Sequence, residues 1–153
     1  MFKELNFPET KLKLYQSDNE YFVFDEFRKR KVKLTAEEWV RQQYLHFLIK
    51  NYHYSISLIA VEISILINNI SKRCDAVVFN TNKEPKILLE FKSYNIKITQ
   101  ESIDQAMRYN LTLKVPYLVI TNGLQIYIIH YNSIENKYQL INNLPNADEL
   151  LHQ

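Results

Sequence analysis

Apolar and polar positions alternate along this chain in two distinct periods, and the changes from one to the other mark its elements. "YFVFDEFRKRKVKL" sets aromatic and β-branched residues first and charges second, which predicts one or two strands. "LTAEEWVRQQYLHFLIKNY" switches to helical spacing, with Trp39, Val40, Gln43, Tyr44, Phe47 and Leu48 on one face. Thr35 is placed to cap that helix, and Glu38 three residues on completes a capping box. "SLIAVEISILI" predicts a strand, "NNISK" a turn, and two further strands fall near 74–80 and 86–92, joined by "NTNKEP". "ITQESIDQAMRYNLTLK" predicts a second helix capped by Thr99, with Met107 and Leu111 toward the core. "PYLVITN" and "LQIYIIHY" are strands split at Asn122-Gly123, a strong hairpin signal. Helix, three-strand meander, crossover helix and two strands together predict an α/β layered domain with a central mixed sheet. A loosely packed N-terminal segment over 1–20, a core over 21–132 and a C-terminal tail over 133–153 are expected within one domain.

Composition narrows the function classes. The single glycine, Gly123, excludes both GxxxxGK[ST] and GxGxxG, so no glycine-dependent phosphate loop or nucleotide-driven motor is encoded here. A net charge of +2 is mild for a nucleic-acid binder. The dense run RKRKVK, Arg28 to Lys33, reads as the solvated guard of an exposed strand or as a phosphate-facing edge. No apolar run reaches the ~18 residues of a membrane span, and one cysteine, Cys74, fits a reducing compartment. A cytoplasmic protein is expected. Richness in Asn, Ile, Lys and Tyr points to an A/T-rich bacterial genome.

Three charges interrupt the apolar strands of "RCDAVVFNTNKEPKILLEFK": Asp75 on the first, Glu90 and Lys92 on the second. Isolated charges in buried strands are costly unless paired. Side chains two apart on a strand share a face, so Glu90 and Lys92 point together. Antiparallel pairing of the two strands sets Asp75 beside Glu90 or Phe91. Two carboxylates so close repel; either a salt-bridge cluster forms with the lysine, or a hard divalent cation with oxygen ligands relieves the conflict. Such a cation polarises a phosphate oxygen and activates water, and Lys92 could orient or deprotonate that water. Gln105 and Tyr109, four apart on the second helix, share a face beside this strand. Glu37 and Glu38 open the first helix, and only one of them can face the sheet.

Taken together, "LTAEEWVRQ", "KRCDAVVF", "LLEFKS", "QAMRY" and "VPYLVITNG" resemble the PD-(D/E)XK nuclease superfamily, and within it the N-terminal nuclease domain of type I restriction enzyme R subunits. The resemblance runs from about residue 22 to 131. It implies a restriction-endonuclease-like three-layer core, a central mixed β-sheet flanked by helices, and a metal-dependent endonuclease that hydrolyses DNA phosphodiester bonds. Asp75, Glu90 and the backbone carbonyl of Phe91 would hold Mg²⁺, with Mn²⁺ able to substitute, and Lys92 would be the catalytic lysine. Glu37 would be the first-helix acid, with Glu38 as the alternative. Arg73, Gln105 and Tyr109 would contact substrate. Relatives commonly carry Cys where Phe91 stands, a position that faces away from the site. R subunits continue into an ATP-driven translocase, whereas this chain ends at Gln153, so a stand-alone domain is expected. DNA, a homodimeric second copy, and a separate motor or specificity subunit are the partners this reading admits. The alternative is a non-catalytic DNA- or protein-binding module that keeps the nuclease fold.

Overall fold

A computed structural model describes residues 1–151. Strands β1 (Leu14–Ser17), β2 (Glu20–Asp25) and β3 (Arg30–Lys33) form a small antiparallel sheet ahead of helix α1 (Ala36–Tyr52). Strands β4 (Ile59–Ile67), β5 (Ile70–Phe79) and β6 (Pro85–Phe91), helix α2 (Gln100–Leu113), and strands β7 (Tyr117–Thr121), β8 (Ile126–Asn132) and β9 (Lys137–Ile141) follow, with a short α3 (Ala147–Leu151). The main sheet runs in chain order from β4 to β9. Every neighbouring pair is antiparallel except β6 and β7, which α2 joins as a crossover. Among the described residues no helix is long and apolar enough to cross a membrane.

The sheet separates two cores. Val40, Tyr44, Leu45 and Leu48 of α1 pack on Ala76, Val78, Ile87, Leu89 and Phe91. Ile103, Ala106 and Leu113 of α2 pack on Val77, Leu88, Leu118 and Ile120 from the opposite face. This is the layered mixed-sheet architecture expected from the sequence. Both caps are as expected: Thr35 Oγ1 accepts from the Glu38 amide at 3.1 Å, and Thr99 Oγ1 from the Ser102 amide at 3.2 Å.

The segment expected to be loose is not so throughout. Leu5 and Phe7 enter the α1-side core, and the Asn6 amide donates to Gly123 O at 2.8 Å. Two apolar residues in a polar stretch are too short a pattern to register as an element. Gly123 adopts φ +84, and a Cβ there would lie 2.6 Å from Leu5 Cδ2, so the tight approach needs glycine. Likewise, part of the expected tail adds β9 to the sheet and buries Leu144. On α2 the buried stripe is Ile103, Ala106, Asn110 and Leu113, while Leu111 is exposed. Burial of Asn110 is offset by its side-chain amide, which donates to Val115 O at 3.1 Å, while its backbone carbonyl accepts from the Lys114 amide that ends the helix.

One irregularity positions the charged residues. Glu62 on β4 has φ 51, in the left-handed region that non-glycine residues rarely occupy in a strand. The β4–β5 ladder pairs Val61 with Ala76 and Ile63 with Cys74, and passes over the Glu62–Asp75 step between them. Across that step the faces exchange: Val61 and Ala76 serve the α1 core, while Ile63 and Cys74 serve the α2 core. Asp75 therefore sits where the hairpin turns over, at the point where β5 leaves β6.

Candidate active site

Asp75 reaches across that opening. Its Oδ2 accepts the Phe91 amide at 2.8 Å, replacing the ladder bond that β5 no longer supplies. Its other oxygen lies 4.0 Å from Arg41 Nη2 of α1. Phe91 itself is buried under Tyr44 in the α1 core, which fixes the backbone between Glu90 and Lys92. Beyond Phe91 the Lys92 amide donates to Thr121 O at 2.9 Å, so the lysine backbone stays tied to β7.

On the α2 side a cleft of about 260 Å³ is lined by Lys72, Glu90, Lys92, Ser102, Gln105, Ala106 and Tyr109. Four residues singled out from the sequence, Glu90, Lys92, Gln105 and Tyr109, thus meet in one place. Lys72 Nζ donates to Glu90 Oε1 at 3.2 Å and stands 4.4 Å from the Tyr109 ring centroid. The Tyr109 hydroxyl donates to Ser71 O at 3.3 Å. Lys92 makes no hydrogen bond or ion pair through its ammonium among the described residues, so it remains open to a ligand. Arg73 is exposed, pairs with Ser64 in the β4–β5 ladder, and does not line the cleft.

The two glutamates of α1 separate sharply. Glu38 is buried and accepts from Arg28 Nη2, from Arg41 Nη1 at 2.7 Å and from Gln42 Nε2 at 2.9 Å. Arg28 also pairs with the fully buried Asp25, and with Glu62 at 3.2 Å. This network ties the turn after β2 to α1 and β4, which leaves Glu38 committed to structure. Among the described residues Glu37 is held only by Arg41, at 3.5 Å. Burial raises the Glu37 carboxyl above its usual range and the charge of Asp75 adds to that, while Arg41 and Lys92 oppose it. Glu37 is therefore the helix acid that shares a field with Asp75 and Lys92.

Two participants were not foreseen. Lys72 reads in sequence as part of a turn, and the exchange of faces at Glu62 and Asp75 hides it from strand alternation. Arg41 has no role assigned by the sequence pattern, yet its side chain is only 5% exposed among four carboxylates. Arg28, read as part of a basic run, belongs to the same buried network rather than to a solvated face.

The donor set at Asp75, Glu90 and the Phe91 carbonyl is all oxygen, the chemistry a hard divalent cation selects. Among the described residues no three His, Cys, Asp or Glu side chains cluster closely enough to cage an ion by themselves. Two carboxylates with water completing the shell is the arrangement Mg²⁺ commonly accepts, so the residues fit that ion in type.

Residues 36–145 match the family described as type I restriction enzyme R protein N terminus. No curated protein matches the chain. Among solved structures, a fragment assigned to the HsdR subunit of a type I restriction enzyme from Vibrio vulnificus YJ016 superposes with a TM-score of 0.52 at 20% identity. That likeness covers 78% of this chain and 25% of the other, and it is a likeness of fold.

Proposed function

This chain belongs to the type I restriction enzyme R protein N-terminal family, and from that premise we propose that it is a divalent-cation-dependent endonuclease domain acting on DNA. The observation that carries the reading is the convergence of Glu90, Lys92, Gln105 and Tyr109 on one cleft, with Asp75 bonded to the Phe91 amide beside it. Asp75, Glu90 and the Phe91 carbonyl would hold Mg²⁺ or Mn²⁺. The cation would supply Lewis-acid polarisation of a phosphate oxygen and a more acidic water.

The side chains of this chain have separable tasks in that reading. Lys92, whose ammonium has no partner among the described residues, orients the attacking water and offsets charge growing on the phosphate. Gln105 and Tyr109 present donors from α2 to the substrate backbone. Glu37 balances the local charge around Asp75 and Lys92. Arg73, exposed and outside the cleft, would meet the substrate backbone only beyond it. In the full enzyme class such a domain works beside motor and specificity subunits on DNA, and a symmetric pair of copies would bring two sites to two strands. A DNA-acting domain of this kind belongs in the cytoplasm.

A second reading has its own support. Lys72 already compensates Glu90 at 3.2 Å, and among the described residues no cluster of three His, Cys, Asp or Glu side chains forms. A module that binds DNA or protein without cleaving it would show the same feature. Calorimetric titration with Mn²⁺ separates the two. The nuclease reading expects saturable binding that Asp75→Asn weakens at least tenfold; unchanged affinity in the variant would remove Asp75 from the ligand set.

A further inference from the structure

We propose that the solvent face of the β1–β3 sheet is a binding surface for single-stranded DNA. This face lies ahead of residues 36–145 and is separate from the cleft. Its inner side is a small core of Val23, Val32 and Leu34 packed on Trp39. Alternation then turns the partners of those residues outward. Tyr15 pairs with Phe22, Phe22 with Lys33, and Phe24 with Lys31, so three aromatic rings on β1 and β2 are flanked by lysines on β3. Phe24, next to the last residue of β2, is 45% exposed and so presents its ring to solvent. Lys31 Nζ lies 4.0 Å and Lys13 Nζ 5.4 Å from the Tyr15 ring centroid, so both ammonium groups hover over the row. Lys33 is partly neutralised by Glu20, whereas Lys13 and Lys31 carry no carboxylate partner among the described residues.

Neighbouring strands stand roughly 5 Å apart, so unpaired bases laid against the exposed Phe24 and the part-exposed Tyr15 and Phe22 would bring their phosphates to the β3 lysines. That combination of stacking platform and positive margin is what sequence-tolerant single-strand binding requires. A duplex hides its base faces and could use the lysines alone. An acidic peptide would likewise need the lysines but not the rings. The choice of DNA over RNA rests on the proposed function of the cleft, and the rU20 comparison below tests it separately. The sheet is also firmly seated. Asp25 accepts from the Phe27 and Arg28 amides at 2.7 and 3.0 Å, and Arg28 reaches Glu62, the neighbour of Asp75 at the irregular step. The Phe24–Lys31 end of the face is therefore the end joined to the Arg28, Glu38, Arg41 and Glu62 network, which reaches Asp75 through Arg41.

The test is fluorescence anisotropy with labelled dT20 on the full chain in EDTA, so that neither cation nor cleavage enters. Wild type should bind dT20 more tightly than a duplex of equal length or rU20. Tyr15→Ala with Phe24→Ala should weaken dT20 binding tenfold or more and leave duplex binding unchanged. Lys13→Gln with Lys31→Gln should reduce the slope of log affinity against log salt by about 1.4, at roughly 0.7 per phosphate contact. This second pair replaces solvent-exposed charges and keeps the test valid if the aromatic pair melts early. Wild-type dT20 affinity and salt slope in the lysine variant, or preference for the duplex or for rU20, would overturn the proposal.

Discussion

Replacing Glu38 by glutamine keeps its shape and removes its charge from a buried network, whereas the same change at Glu37 touches a half-exposed side chain one position away. The Glu38 carboxylate is engaged by Arg28, Arg41 and Gln42, and its side chain is 8% exposed. Removing one partner of a buried pair costs about 3–5 kcal/mol. The lower end applies, because Arg28 keeps Asp25 and Glu62 while Arg41 keeps Glu62 and Glu37. A loss of about 3 kcal/mol lowers Tm by roughly 6–12 °C in a chain of this size. Glu37 has a side chain 45% exposed and one ion-pair partner at 3.5 Å, so Glu37→Gln should change stability by less than about 1 kcal/mol. Thermal and urea unfolding of both variants at neutral pH measures the contrast. A Glu38→Gln protein melting within about 2 °C of wild type, or a larger loss in Glu37→Gln, would refute the division of roles between these neighbours.

Three other outcomes follow from the geometry. Glu37 has a raised carboxyl in the folded state, caused first by burial and then by Asp75. The folded state therefore holds its proton longer, and this group's contribution to stability fades as pH rises from the ordinary glutamate value through the raised one. Urea melts across acid to neutral pH should show Glu37→Gln gaining on wild type through that window; a constant gap would contradict the assignment. Lys72→Ala frees Glu90 from its internal counterion and should tighten Mn²⁺ binding about tenfold, near 1.4 kcal/mol. Weaker binding in calorimetry would show that Lys72 supports the ion rather than competing with it. Gly123→Ala forces a side chain into φ +84 against Leu5 and should cost about 1–3 kcal/mol; an unchanged Tm would mean that the N-terminal segment yields freely.

Much of the scaffold is legible from local chemistry. Thr35 and Thr99 cap the helices they precede, and alternation in residues 117–132 delivers β7 and β8. The hairpin signal at Asn122-Gly123 falls in the right place, though the loop spans 122–125, with Asn122 Oδ1 accepting from the Leu124 and Gln125 amides. Glu90 and Lys92 meet Gln105 and Tyr109 because strand and helix periodicity each fix a face. Long-range effects escape that reading. The exchange of faces at Glu62 is a tertiary event, so Lys72 looks like a turn residue until the strands are paired. Arg28 looks solvated and Arg41 attracts no notice, because local spacing says nothing of the carboxylates that surround them. Leu111 was expected inside on helical spacing alone, yet a hydrogen-bonded Asn110 takes the core position instead.

The central claim is that Asp75, Glu90 and Lys92 form a nuclease site, and nicking of supercoiled plasmid tests it most directly. Wild type and Lys92→Ala are incubated side by side with Mg²⁺ or Mn²⁺, after thermal melts of both. The account expects nicking by wild type, its loss in Lys92→Ala, and a Tm nearly unchanged because the Lys92 ammonium holds no structural partner among the described residues. Equal nicking by both proteins, or none by wild type under either cation, would contradict it.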